Sequence, residues 1–255
     1  MRIEEAVEHL KSIVEKSFKF EDENFVEFEV GGDKEVYAID GSSVKLFDAY
    51  TFSIYARRIG WVKADEEGII SMDRGNIEID VIYGENADSI NDERREQEEM
   101  ELGMKFDKGI VIMDGCSTGE IMGISKKSGM KAEGVPLLFA IKKYGDRIKP
   151  RKRWYYKIDD TTYAVKFHPH SKFAFRVDYG GEDIEEVLSN LARYCNDISC
   201  LGYPYPLAEV HNLVKIEREE AEYLRRDMIH QAIKGGVSMR DFEELFYDYH
   251  EYMEG

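Results

Sequence analysis

Cysteine is scarce in this chain of 255 residues: there are three, Cys116, Cys195 and Cys200. Their number is odd and the last two lack C-x-x-C spacing, which excludes a disulfide framework and a zinc knuckle. They are expected to be ordinary buried or half-buried thiols. No apolar run reaches the roughly 18–20 residues of a membrane span, so no membrane partner is expected. The N-terminal MRIEEAVEHLKSIVEKS is amphipathic and acidic rather than a secretory leader, which makes cytoplasm the expected compartment. No G-x-x-x-x-G-K-[ST] loop is present, which excludes P-loop ATP hydrolysis by the chain itself. Positive charge is also short: 35 Lys and Arg stand against 52 Asp and Glu, a net charge of −17. Phosphate binding needs cations, so that balance argues at first against nucleic acid.

The distribution of the cations reverses the argument. Residues 126–157 hold eleven Lys and Arg and only two acids, Glu133 and Asp146. One concentrated positive stretch in an acidic protein is the pattern of a local phosphate track, and a solvated basic loop is the alternative. With 43% hydrophobic and 34% charged residues, no internal repeat and no low-complexity linker, residues 1–255 are expected to form one domain.

Residues 2–17 read as a helix, with Ile3, Ala6, Val7, Leu10, Ile13 and Val14 on one face. FVEFEV (25–30) reads as a short strand. VYAID (36–40) is an apolar run ending on Asp40, followed by a polar corner at Gly41-Ser42-Ser43. Residues 46–62 read as one long strand and 77–83 as another, giving with the earlier run a three-stranded antiparallel meander. Residues 90–106 carry helix formers. GIVIMDG (109–115) is a continuous apolar run of the kind buried on both faces in a parallel position. EIMGIS (120–125), RWYYKI, YAVKF (163–167) and KFAFRVD (172–178) read as further strands, and 183–196 as a helix. After the GYPYP loop a helix begins near Leu207 and extends toward Ile233, and 241–253 form a last one.

Two of the apolar strands end in aspartate, Asp40 and Asp114, and an acidic helix lies between them. Carboxylates at strand ends of an α/β sheet stand where sites form. Converging carboxylates repel unless a cation sits among them, and hard divalent ions such as Mn²⁺ and Mg²⁺ take oxygen ligands. Such ions activate water and stabilise the leaving oxygen of a phosphodiester. An Asp-Gly after a strand is on its own most often a turn. The order meander, helix, apolar strand is that of the RNase H-like arrangement, so the expected fold is α/β: a mixed sheet flanked by helices, with N- and C-terminal helical additions. Glu96, Glu98, Glu99 and Glu101 compete for the helix carboxylate. Glu96 shares a face with Met100, Gly103 and Met104.

At this point the chain resembles the NurA family of archaeal and bacterial DNA-end-processing nucleases. The resemblance is carried by AIDGSS (38–43), the acidic helix followed by IVIMDG (110–115), GISK (123–126), FRVD (175–178) and GYPYPLAEVHNLVKI (202–216), in the family's order. It implies that Asp40, Asp114 and His211 hold metal, with Glu99 as the helix ligand on the family's glutamate-led apolar pattern and Glu96 as runner-up. It implies Mn²⁺ or Mg²⁺, 5′–3′ exonuclease and single-strand endonuclease activity in double-strand-break resection and homologous recombination, a homodimer, and a hexameric HerA-type translocase as partner. A functional tyrosine is expected among Tyr155, Tyr156 and Tyr163. Lys126, Arg147, Lys149, Arg151, Lys152, Arg153 and Tyr156, with Trp154 and Tyr155, are candidates to line a DNA channel by charge and stacking. A non-catalytic adaptor on the same core is the alternative function. A histidine-ligated phosphoesterase is a third, with His168 and His170 as its one close pair.

Overall fold

In the computed structural model, which describes residues 3–246, one ten-stranded mixed sheet carries the fold. The chain enters through helix α1 (Ile3–Glu15) and a short strand β1 (Phe25–Glu27). An antiparallel meander follows: β2 (Val36–Asp48), β3 (Phe52–Asp65), β4 (Gly68–Asp73) and β5 (Glu78–Tyr83), the last two both paired to β3. Helix α2 (Ala87–Gly103) leads to β6 (Ile110–Asp114), which lies parallel to β2 with Val36 opposite Ile110. Strand β7 (Met122–Ser125) continues parallel beside β6. The order β4-β3-β2-β6-β7 is the RNase H-like core that the sequence predicts.

A small hairpin of β8 (Lys131–Ala132) and β9 (Val135–Pro136) precedes helix α3 (Leu137–Ile148). Strands β10 (Trp154–Lys157), β11 (Thr162–Lys166) and β12 (Phe175–Asp178) extend the sheet antiparallel from β7, and β1 closes its edge on β10. Helices α4 (Ile184–Ala192), α5 (Tyr205–Val214), α6 (Arg218–Lys234) and α7 (Met239–Phe246) complete the chain.

Alternation along the strands sorts the two faces. Val36 and Ala38 of β2 and Ile110 and Ile112 of β6 pack with Leu188 and Leu191 of α4 and Leu207, Val210 and Val214 of α5. Ile39, Val111 and Met113 face the other way, toward Met100 and Leu102 of α2.

Several boundaries differ from expectation. The long strand 46–62 is broken: the chain reverses at residues 49–51, with Tyr50 in the left-handed region at φ 61° and its N–H donating to Asp48 Oδ1 at 2.9 Å. Strand β4, unpredicted, follows a turn at residues 66–67. The corner at Gly41-Ser42-Ser43 does not exist; β2 runs straight through it, paired with β3. Those small residues mark a strip where helices come down on the strand. Ser43 Oγ accepts from Asn91 of α2 at 3.0 Å, and Ser42 Oγ accepts from the Ile216 amide at 3.2 Å. The second contact explains why the helix expected to run from 207 to 233 is two helices: the chain becomes extended at Lys215 to set Ile216 against β2. Helix α3 escaped notice because its lysines mask an apolar face of Leu138, Ala140, Ile141 and Gly145. Helix α1 forms, but Ile3, Val7, Leu10 and Val14 face outward. Residues 2 and 247–253 of the expected terminal helices lie outside the described residues.

Candidate metal centre

Asp40 and Asp114 have the parity of Ala38 and Ile112, so both project from the sheet toward α5. Asp40 sits where β2 runs past its pairing with β6, and Asp114 is the last residue of β6. His211, one helical turn from Leu207 on α5, comes down on them. Its Nδ1 donates to Asp40 Oδ2 at 2.8 Å, and the Gly41 amide donates to Asp40 Oδ1 at 2.8 Å. One ligand atom from each of Asp40, Asp114 and His211 lies within 4.8 Å of the other two. Asp40 is only 3% exposed. Burial pushes its carboxyl pKa up, the His211 hydrogen bond opposes this, and the Asp114 charge adds to it. Two carboxylate oxygens and an imidazole nitrogen at this spacing suit a divalent ion of the Mn²⁺ or Mg²⁺ kind.

Lys126, just beyond β7, already answers part of that charge: its Nζ donates to Asp114 Oδ2 at 2.8 Å and lies 4.6 Å from the centroid of the Tyr203 ring. The Tyr203 hydroxyl is buried without a well-formed hydrogen bond, close enough to Asp114 and Asp40 for their charges to be felt. Burial, and then those two carboxylates, raise its pKa. This tyrosine was not among the three candidates. It lies in the GYPYP loop, whose prolines spoke for a turn and concealed the ring turned inward. Of the three, Tyr155 and Tyr163 pack edge to face at 5.9 Å, and Tyr156 lies in a cluster with Phe20 and Phe25.

Glu99, expected beside the aspartates, does not join their cluster. It descends from α2 onto the opposite face of β2, over Gly41. A Cβ on Gly41 would stand 2.5 Å from Glu99 Oε1, so the glycine makes room for this carboxyl. Arg95 NH1, one turn earlier on the helix, donates to Oε1 at 2.5 Å, and Oε2 has no partner. Glu96, the runner-up, is exposed. Burial pushes the Glu99 pKa up to about 8; Arg95 opposes this and Asp40 reinforces it. A carboxyl that binds its proton more tightly folded than unfolded loses stability as pH rises between the two values. Metal-free Glu99→Gln, which keeps an acceptor for Arg95, is therefore expected to match wild type below the ordinary value of 4.5. It is expected to become the more stable protein as pH climbs to about 8. Urea unfolding at a series of pH values checks this; a gap that stays constant through the window would show that Glu99 ionises freely.

The basic segment is neither a bare loop nor a continuous free track. Lys149 and Lys152 both pair with Glu27, at 3.1 and 3.3 Å. Lys143 of α3 donates to the Val14 and Lys16 carbonyls at the C-terminal end of α1. Arg153 Nε donates to the Phe167 carbonyl at 3.0 Å, Arg147 lies over the Tyr144 ring at 4.5 Å, and Arg151 is exposed. Trp154 is fully buried, so it stacks on no base. Through the successive registers from β6 to β10, the start of β10 falls at the same edge of the sheet as Asp114. Asp114 is level with Lys157, four strand spacings or about 19 Å across the sheet, and Trp154 lies three residues further toward that edge. In FRVD, Asp178 is turned into the sheet, where Oδ1 accepts from Thr162 Oγ1 at 3.2 Å and Arg176 Nε at 2.9 Å. His168 and His170 form a turn contact, Nδ1 of His168 accepting from the His170 amide at 3.1 Å. The cysteines are all free, and Cys116 is exposed rather than buried.

Residues 137–216 match the model of the NurA domain, a segment that includes His211 but neither aspartate. The fold is similar to the crystal structure of the NurA nuclease from Sulfolobus solfataricus, at 17% identity and TM-score 0.69, covering 92% of this chain and 95% of that one. It is also similar to a second crystal structure of NurA, at 11% identity and TM-score 0.70, covering 94% of this chain and 99% of that one. None of the curated proteins matches the sequence. No helix among the described residues is long and apolar enough to cross a membrane.

Proposed function

From a chain that carries a NurA domain match on the NurA fold, we propose a metal-dependent nuclease that cleaves DNA phosphodiesters. The observation that carries the reading is the convergence of Asp40, Asp114 and His211 from three separate elements onto one point. A divalent ion at that point supplies Lewis acidity and a nucleophile at neutral pH. Asp40 and Asp114 hold and orient it, and the hydrogen bond from His211 fixes the Asp40 carboxylate. The His211 side chain is 54% exposed, so its second ring nitrogen is open to join the two aspartates as a ligand of the ion. Lys126, 47% exposed, is free to pass from Asp114 to a phosphate oxygen of the substrate.

On this reading Arg147, Lys149, Arg151, Lys152, Arg153 and Tyr156 guide the strand toward the metal along the carboxyl edge of the sheet. Arg147, Arg151 and Lys152 are exposed, and Lys149 and Lys152 exchange Glu27 for phosphate. The finer activity we propose is 5′–3′ exonuclease and single-strand endonuclease action in end resection, as a homodimer working with a hexameric HerA-type translocase, with Mn²⁺ or Mg²⁺. This part rests on the family resemblance.

The test is cleavage of end-labelled single- and double-stranded DNA with EDTA, Mg²⁺ or Mn²⁺, beside Asp114→Ala. Cleavage that needs metal and disappears in the variant is expected. Absence of cleavage under every metal, with a translocase partner also supplied, would favour the adaptor.

A further inference from the structure

The aspartates of this centre and the glutamate behind them are neutralised differently, and the difference bears on how many metal ions the chain holds. Asp40 and Asp114 face α5, and the cation that pairs with Asp114 there is Lys126, half exposed on a flexible stem. Glu99 descends from α2 onto the other face of β2 and is fully buried. Its cation is Arg95, four residues earlier on the same helix, where the backbone itself holds the two side chains one above the other. The strand is shaped for this pair: a Cβ on Gly41 would meet Glu99 Oε1 at 2.5 Å and Arg95 Cγ at 3.0 Å.

We propose that Arg95 supplies the second positive charge of the centre, so that the chain holds one divalent ion, on Asp40, Asp114 and His211, and none on Glu99. The inference deepens the metal-nuclease reading and rests on it. Mn²⁺ and Mg²⁺ want near-octahedral shells of hard ligands and keep several waters. The free oxygen of Glu99 is closed to solvent, and the Ile59 side chain closes over the same glycine. A second ion on that oxygen would have to enter a spot closed to solvent beside Arg95 and Ile59 and give up its waters to do so. Arg95 cannot drift away as Lys126 can: its side chain is 22% exposed, and its guanidinium is near enough to Asp40 to bear on that charge too. Arg95 is thus a positioning residue. It keeps Glu99 out of the metal's shell and supplies, without an ion, positive charge behind the aspartates.

Mn²⁺ binding to the metal-free chain decides the matter without DNA. Calorimetry, with electron paramagnetic resonance of the bound ion, is expected to count one Mn²⁺ per chain. It should show no broadening from a neighbouring ion. Glu99→Gln should leave the count at one and the affinity within about threefold, while Asp40→Asn should weaken binding by about a hundredfold or more. Arg95→Ala, which uncovers the glutamate, should gain a second, weaker site; should it fail to fold, the wild-type and Glu99→Gln counts decide alone. Two ions in wild type, falling to one in Glu99→Gln, would overturn the proposal and leave the nuclease reading standing. No Mn²⁺ bound at all would remove both.

Discussion

Asp40→Asn is expected to reduce DNA cleavage roughly 10³-fold or more, the equivalent of losing several kcal/mol of Lewis-acid stabilisation, while raising the melting temperature of the metal-free protein by a few degrees. The two effects have one cause. Asp40 is buried beside Asp114, and both the loss of hydration and the neighbouring charge resist its ionisation. Its pKa is higher folded than unfolded. The destabilisation is therefore absent at low pH and grows as pH rises past the ordinary aspartate range. Asparagine keeps the shape and an acceptor for the Gly41 amide and removes the charge. Mn²⁺ should invert the ranking, because an ion that binds only the folded state stabilises wild type by mass action and binds the variant far more weakly. Thermal melts with and without Mn²⁺, beside the cleavage assay, check the pattern. A variant that melts below wild type without metal would make Asp40 a structural residue whose loss of activity is secondary. The general rule that functional sites cost stability predicts the opposite.

What the sequence disclosed of this centre follows from which interactions are local. Asp40 and Asp114 could be found because each ends an apolar run along β2 or β6, and a sheet of this topology sets those positions side by side. His211 could be found only by its motif: nothing in VHNLV says that α5 lies over β2, a contact between residues 171 positions apart. The family's glutamate-led pattern sets Glu99 above Glu96, whereas the helix face shared with Met100, Gly103 and Met104 favours Glu96; Glu99 is the one that turns inward. Its partner Arg95 carries no signal of its own, since helix periodicity does not reveal which charge a glycine on another strand will admit. The same blindness produced the false corner at Gly41-Ser42-Ser43. Small polar residues have the composition of a turn, yet here they are the footprint of two helices on one strand. Among the basic residues, composition located the cluster but not the consumption of Lys149 and Lys152 by Glu27, or of Lys143 by the end of α1.

Gly123→Ala should lower cleavage by about 10²-fold and destabilise the fold by about 2–3 kcal/mol, for a reason that lies in the chain following Asp114. That segment folds back across β7. The Gly115 amide donates to the Ile124 carbonyl at 3.2 Å, and Ser117 Oγ donates to the Ile121 carbonyl. Gly123 lies directly beneath it. An added methyl would stand 2.5 Å from the Gly115 carbonyl oxygen and 2.6 Å from the Ser117 nitrogen. Both are backbone atoms, so no side chain can rotate aside; the segment itself must lift. Asp114 is joined to Gly115, and a shift of about 1 Å in a reacting group is enough for a loss of that size. The expected fall in melting temperature is about 5–10 °C. Gly129→Ala is the control: a Cβ there meets nothing within 4 Å and φ is not in the left-handed region, so activity and melting temperature should stay near wild type. If Gly123→Ala cleaved DNA at the wild-type rate, Asp114 would not depend on the chain behind it, and the reading of GISK as a glycine seat for the metal-bearing loop would fail. If it lost stability and cleavage while Mn²⁺ affinity held, the loop would position substrate rather than the carboxylate. A joint loss of Mn²⁺ affinity and cleavage is the expected result, because the segment that Gly123 seats ends on a carboxylate of the centre.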